Sequence, residues 1–176
     1  VTASYDAATG QVNVSQDPCN VDGRGETARQ ASGTHKTGPT LQGDIPFLVG
    51  AAWGGQGNAD GIRPVMCFNG KVEAPRVAGT VADALSATDC LLAWDLSRSI
   101  KSLSVEDVSG DACHGHTVNL PTRAVTGSNW TSDQHDWRHA QDEYGAIHLH
   151  DDDLGDAGWS PSAEVKLPDD LKSGVY

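Results

Sequence analysis

The chain has 176 residues, enough for one ordinary domain with a core or for one sandwich plus part of a neighbour. Twelve Lys and Arg stand against 24 Asp and Glu, a formal charge of −12. That field repels phosphate backbones and anionic lipid, so nucleic-acid and membrane-surface binding are disfavoured. No apolar run approaches the roughly 18 to 20 residues needed to cross a bilayer, and Val1-Thr2-Ala3-Ser4-Tyr5 has neither the basic nor the apolar region of a signal peptide. The expectation is a soluble, cytoplasmic protein. The four cysteines, at 19, 67, 90 and 113, form no Cys-x-x-Cys pair, which argues against a zinc ribbon or a thioredoxin-like site.

In chain order, Val1, Ala3 and Tyr5 alternate with polar residues, Asp6-Ala7-Ala8-Thr9-Gly10 makes a turn, and Val12 and Val14 resume the alternation, a hairpin pattern. Gln16 to Asp44 has no sustained apolar period and reads as a long loop suited to a subunit contact. The apolar run Ile45 to Trp53 predicts a buried strand, with Trp53 and Trp94 in the core. The glycine-rich stretch 54–61 predicts a turn, followed by a strand over Ile62 to Phe68. Asn69-Gly70 then signals a hairpin into Lys71-Val72-Glu73-Ala74-Pro75-Arg76.

Val81 to Ala93 is the best helix candidate, with Ser86 or Thr88 able to cap a later start. Short strands are predicted at Leu91 to Leu96, Val105 to Val108, His116 to Leu120, Ala146 to His150 and Ala163 to Leu167. The whole predicts an all-β, antiparallel jelly-roll or concanavalin-like sandwich with one short helix, incomplete at both ends, divided as residues 1–80 and 81–176.

Two groups of stretches carry a family resemblance. Val1-Thr2-Ala3-Ser4-Tyr5-Asp6-Ala7-Ala8-Thr9-Gly10-Gln11-Val12 and Phe68-Asn69-Gly70-Lys71-Val72-Glu73-Ala74-Pro75-Arg76-Val77 resemble the second half of a laminin-G/concanavalin-like jelly roll. Ala93-Trp94-Asp95-Leu96-Ser97, the run from Gly115 to Trp130, Tyr144-Gly145-Ala146-Ile147-His148-Leu149-His150-Asp151-Asp152-Asp153-Leu154 and the run from Leu167 to Tyr176 resemble the large subunit of N,N-dimethylformamidase. The resemblance implies hydrolysis of a small formamide to an amine and formate at an iron held by Tyr and Glu, in an oligomer with a small subunit. It places the iron in a catalytic region that follows the jelly roll, and no ligand of that region matches a position here. The sequence departs from the family's pattern at Cys113, where a larger aliphatic residue is usual, and at Leu149, where an aromatic is expected.

The residues themselves offer two candidate sites, and no catalytic residue is assigned. In Ile147-His148-Leu149-His150 a strand puts Ile147 and Leu149 on the core face and both imidazoles on the other, close enough to share a divalent metal. Asp151, Asp152 and Asp153 add potential oxygen ligands, while the bland reading is a polar strand face entering a charged turn held by Arg123 or Arg138. Trp130 and Trp159 are candidates for a sugar platform, which makes a carbohydrate-binding module the competing class. No Gly-x-Ser-x-Gly elbow is present. His114 and His116 flank Gly115, a glycine expected to permit close packing, and His135 and His139 fall in a tryptophan-rich loop.

Overall fold

Alternation alone predicts the first hairpin, and the register follows it: β1 (Thr2–Asp6) pairs antiparallel with β2 (Gln11–Gln16), Tyr5 opposite Val12 and Ala3 opposite Val14. The Asp6 carboxylate accepts from the Ala8 and Thr9 amides, an Asx-type turn, and Gly10 takes φ 71 where a side chain would be strained. These hydrogen bonds hold the Asp6 carboxyl below the ordinary carboxylate range. The computed structural model describes residues 1–18, 27–34, 45–57, 61–151 and 158–175.

Within the stretch read as one long loop, β3 (Arg29–Thr34) adds to β2 and completes a three-stranded antiparallel sheet. Its sequence, Arg-Gln-Ala-Ser-Gly-Thr, has no apolar alternation, and every residue in it is exposed, so only pairing to β2 defines it. The remainder of the proposed contact loop, 19–26 and 35–44, lies outside the described residues.

The apolar run 45–53 is not a buried strand. Only Ala52–Trp53 (β4) is extended, paired with Pro64–Val65 (β5), and Ile45 and Phe47 are more than half exposed. Gly50 explains the break: it sits at φ 83 with the Leu149 side chain pressed where a Cβ would stand. Trp53 is exposed rather than core. In the stretch predicted as a turn, Gly54 N–H donates to the Arg63 carbonyl at 2.7 Å and Arg63 N–H to that of Gly55 at 3.2 Å, while 58–60 lie outside the described residues.

Asn69-Gly70 does not close a hairpin. β6 (Gly70–Glu73) is paired instead with a strand more than 70 residues later, because Asn69 spends its amide on Asp151. β7 (Arg76–Ala78) leads into α1, which covers only Val81–Ser86. Thr80 caps it, accepting from the Asp83 amide, while the Asp83 carboxylate receives the Thr80 hydroxyl. Ala87 in left-handed conformation ends it, so the predicted continuation to Ala93 is strand instead.

β8 (Cys90–Asp95), β9 (Ser104–Asp107) and β10 (Gly115–His116) join β7 in a four-stranded sheet ordered β10-β9-β8-β7. β11 (Thr122–Val125) and β12 (Ala146–Leu149) complete a three-stranded sheet in which β12 lies between β11 and β6. This sheet therefore joins residues on both sides of position 80. A 3-10 turn over Gln141–Tyr144 precedes β12. Ala163 to Leu167 is irregular and exposed, not a strand. The fold is all-β and antiparallel, as predicted, with one short α-helix among the described residues.

The core lies where the four-stranded sheet meets the sheet of β6, β11 and β12. Leu96, Val105 and Ile147 are buried together, with Trp94 and Leu149 packed against them. Each buried aliphatic side chain contributes roughly 1.5 to 3 kcal/mol. The predicted close approach at Gly115 is observed: a Cβ there would meet the Trp94 ring at 2.9 Å, and the Trp94 indole N–H donates to the Cys113 carbonyl.

Candidate functional site

Between the two larger sheets runs an apolar cleft with a cavity of about 350 Å³, lined by Phe47, Trp94, Leu96, Val105, Ile147 and Leu149 among others. Phe47 meets Trp94 edge-on with centroids 6.1 Å apart. The ionisable side chains of the lining are Cys67, His116, His150 and Asp151.

Asp151 is stapled just past the end of β12. Its carboxylate accepts from Asn69 Nδ2 at 2.9 Å, and its amide donates to Asn69 Oδ1 at 2.8 Å. Burial first, then the charge and hydrogen bond of Asp151, push the Cys67 thiol up, which keeps it protonated and a poor nucleophile at neutral pH. Cys67, Cys90 and Cys113 are free thiols; Cys19 lies outside the described residues.

The strand alternation turns His148 away from the core as predicted, whereas His150, just past the end of β12, borders the cleft. Ile147 is buried and Leu149 packs on the core, while His148 and His150 are exposed, with ring centroids 5.2 Å apart. Asp151 follows them but is engaged by Asn69, and Asp152 and Asp153 lie outside the described residues. Among the described residues, no three or more His, Cys, Asp and Glu side chains come together to hold a metal ion. Neither arginine serves Asp151: Arg138 is paired with Asp136 at 2.8 Å, and Arg123 is turned elsewhere.

Trp130 donates its indole N–H to the Gln134 carbonyl at 3.3 Å and meets His135 edge-on. Trp159 stands 85% exposed in an irregular segment outside every sheet. Among the described residues no ring contact joins the two into a platform.

Two further side chains hold this region together: Asp107, which no pattern singled out, and Arg123, which the sequence offered as a partner for the acidic turn. Arg123, on β11, donates to five backbone carbonyls: Nη1 to Ser99 at 3.2 Å, Ser102 at 2.9 Å and Ser104 at 2.8 Å, Nη2 to Leu96 at 3.1 Å and Arg98 at 2.8 Å. It fastens the 96–104 loop to the other sheet, and burial lowers the guanidinium's proton affinity. Asp107 accepts from the Ala93, Ser109 and Cys113 amides and from the Ser109 hydroxyl, while its own amide donates to His114 Nδ1. Its Asp-x-Ser spacing is an Asx-turn signature readable in sequence; the reach of Arg123 across 19 to 27 residues is not.

Glu143 and Tyr144 are neighbouring side chains of the two donor types, carboxylate and phenol, that the resemblance gives the iron. The Glu143 carboxylate accepts from the Thr131 amide and hydroxyl, and the Tyr144 hydroxyl donates to the Gln134 carbonyl at 2.8 Å. Each is hydrogen-bonded to a separate partner in the 131–134 stretch. His114 Nδ1 accepts a hydrogen bond from the Asp107 amide, and the Cys67 thiol lies beside the Asp151 carboxylate.

With this geometry in place, comparison with known proteins is informative. Residues 122–176, which contain Arg123, Glu143, Tyr144 and the His148–Asp151 segment, match the family described as N,N-dimethylformamidase beta subunit-like, C-terminal. The chain is 37% identical over 128 residues to the N,N-dimethylformamidase beta subunit of Paracoccus aminophilus, covering 62% of this chain and 16% of that protein. It is 34% identical over 125 residues to the beta subunit from an Alcaligenes species, with the same coverage of 62% and 16%. The chain thus spans less than a fifth of the length of the curated relatives it matches. The relatives carry the name beta subunit, where the resemblance in the sequence was drawn to a large subunit. Among the described residues, no helix is long and apolar enough to cross a membrane.

Proposed function

We propose that this chain is a non-catalytic β-sheet portion of an N,N-dimethylformamidase-like amidohydrolase, acting as scaffold and subunit contact while hydrolysis of a small formamide takes place elsewhere in a longer assembly. The observation that carries this reading is the identity to two beta subunits over a stretch whose polar side chains are turned to structural work. In this reading the iron is held by the remainder of the assembly, which also includes a small subunit.

Surface supports the contact role. Phe47, Met66, Phe68 and Leu120 are among the large apolar side chains left outside.

A chimera tests the scaffold role. Replacing the matched stretch of the Paracoccus aminophilus beta subunit with this chain's residues is expected to leave assembly, read by light scattering, and formamide hydrolysis intact. A folded chimera with altered assembly overturns the contact role. One that assembles normally yet has lost hydrolysis overturns the non-catalytic role.

A further inference from the structure

We infer that His148 and His150 form a surface chelate for a borderline divalent transition ion such as Zn²⁺ or Ni²⁺, separate from any iron chemistry. The two imidazoles stand two residues apart, His148 on β12 and His150 just past its end, and their ring centroids lie 5.2 Å apart with planes tilted by 42°. A metal–nitrogen bond of about 2.1 Å, plus about 1.1 Å from nitrogen to ring centre, puts each centroid about 3.2 Å from a shared ion; at a tetrahedral angle the centroids then lie about 5.2 Å apart. The centroid separation thus matches that of a two-imidazole chelate, beside a strand whose core face is held by Ile147 and Leu149.

The surroundings are compatible with a cation. Asp151 adds a negative charge next along the chain, its carboxylate held by Asn69. Across the sheet, His148 pairs with Thr122 on β11 and with Lys71 on β6. The Lys71 ammonium is anchored to Thr126, donating to its carbonyl at 3.2 Å and its hydroxyl at 2.9 Å. With two protein ligands, the ion keeps water at its remaining positions. Imidazole favours Zn²⁺, Ni²⁺ and Cu²⁺ and gives little to Mg²⁺ or Ca²⁺, which prefer oxygen.

The test uses the purified chain and the metal alone. Isothermal titration with Zn²⁺ and with Ni²⁺ at pH 7.5 is expected to show one saturable event, at least ten-fold weaker in His148→Gln and in His150→Gln, and no such event with Mg²⁺. Acidification releases the ion, because the ligating imidazole must be deprotonated. In the unmodified protein, substoichiometric Ni²⁺ should broaden the imidazole resonances of His148 and His150 before those of His114, His116, His135 and His139. Absence of saturable binding, affinity unchanged in the variants, or broadening that begins at the other histidines overturns the inference.

Discussion

Arg123→Met lowers the stability of the chain by about 2 to 4 kcal/mol, a fall in Tm on the order of 10 °C, because it leaves carbonyls of the 96–104 loop without their common donor. The guanidinium is planar and offers a fixed fork of donors, which is how one side chain reaches five carbonyls on a folded loop. Methionine preserves much of the packed stem and removes only the fork. Arg123→Lys recovers part of the loss, since three ammonium donors cannot serve five acceptors in this geometry. Urea unfolding of the three proteins measures the series. A loss below about 1 kcal/mol for Met would mean that water replaces the guanidinium without penalty.

Asp107→Asn gives the second large effect, and its signature is in the pH dependence. Hydrogen bonds from the Ala93 amide first, then from Ser109 and Cys113, hold the Asp107 carboxyl well below the ordinary carboxylate range. A carboxyl whose folded value is depressed contributes stability that is present above the unfolded value, about pH 4, and is lost as pH falls towards the folded one. The wild-type chain should therefore lose stability on acidification below about pH 4 more steeply than the variant. At pH 7 the variant should already be less stable, because an amide replaces a charged acceptor and presents an NH₂ group to amide donors. Thermal melts of both proteins from pH 7 down to pH 2.5 check this, and parallel curves would remove Asp107 from its role.

What could be read from the sequence was what local chemistry decides. Alternation and the Asp6 turn gave the β1–β2 register, and alternation again set Ile147 and Leu149 inward with His148 outward. Gly115 was legible as a point of close approach, met here by the Trp94 ring. The helix was found but its cap was missed, although Thr80-x-x-Asp83 is a short form of the capping box.

What was hidden depends on partners far along the chain. Asn69-Gly70 has the composition of a hairpin turn, yet the Asn69 amide is spent on Asp151, 82 residues away, and β6 pairs with β12. The Ile45 to Trp53 run is apolar because it borders the cleft, with Phe47, Leu48, Val49 and Ala51 in its lining, rather than because it is a central strand. β3 has no apolar signal at all and exists by pairing with β2. In the candidate site, the histidine pair was legible from a two-residue period. The commitments of Asp151, Glu143 and Tyr144 to structural hydrogen bonds were not, since each partner comes from a separate turn or strand end.

On the proposed reading these residues hold no complete amidase site, and formate release by the purified chain tests this most directly. Incubated with N,N-dimethylformamide and either ferrous or ferric iron, the chain is expected to release no formate above a buffer blank. Formate produced above that blank by folded chain, and abolished by a chelator, would contradict the account and place the catalytic groups within these 176 residues.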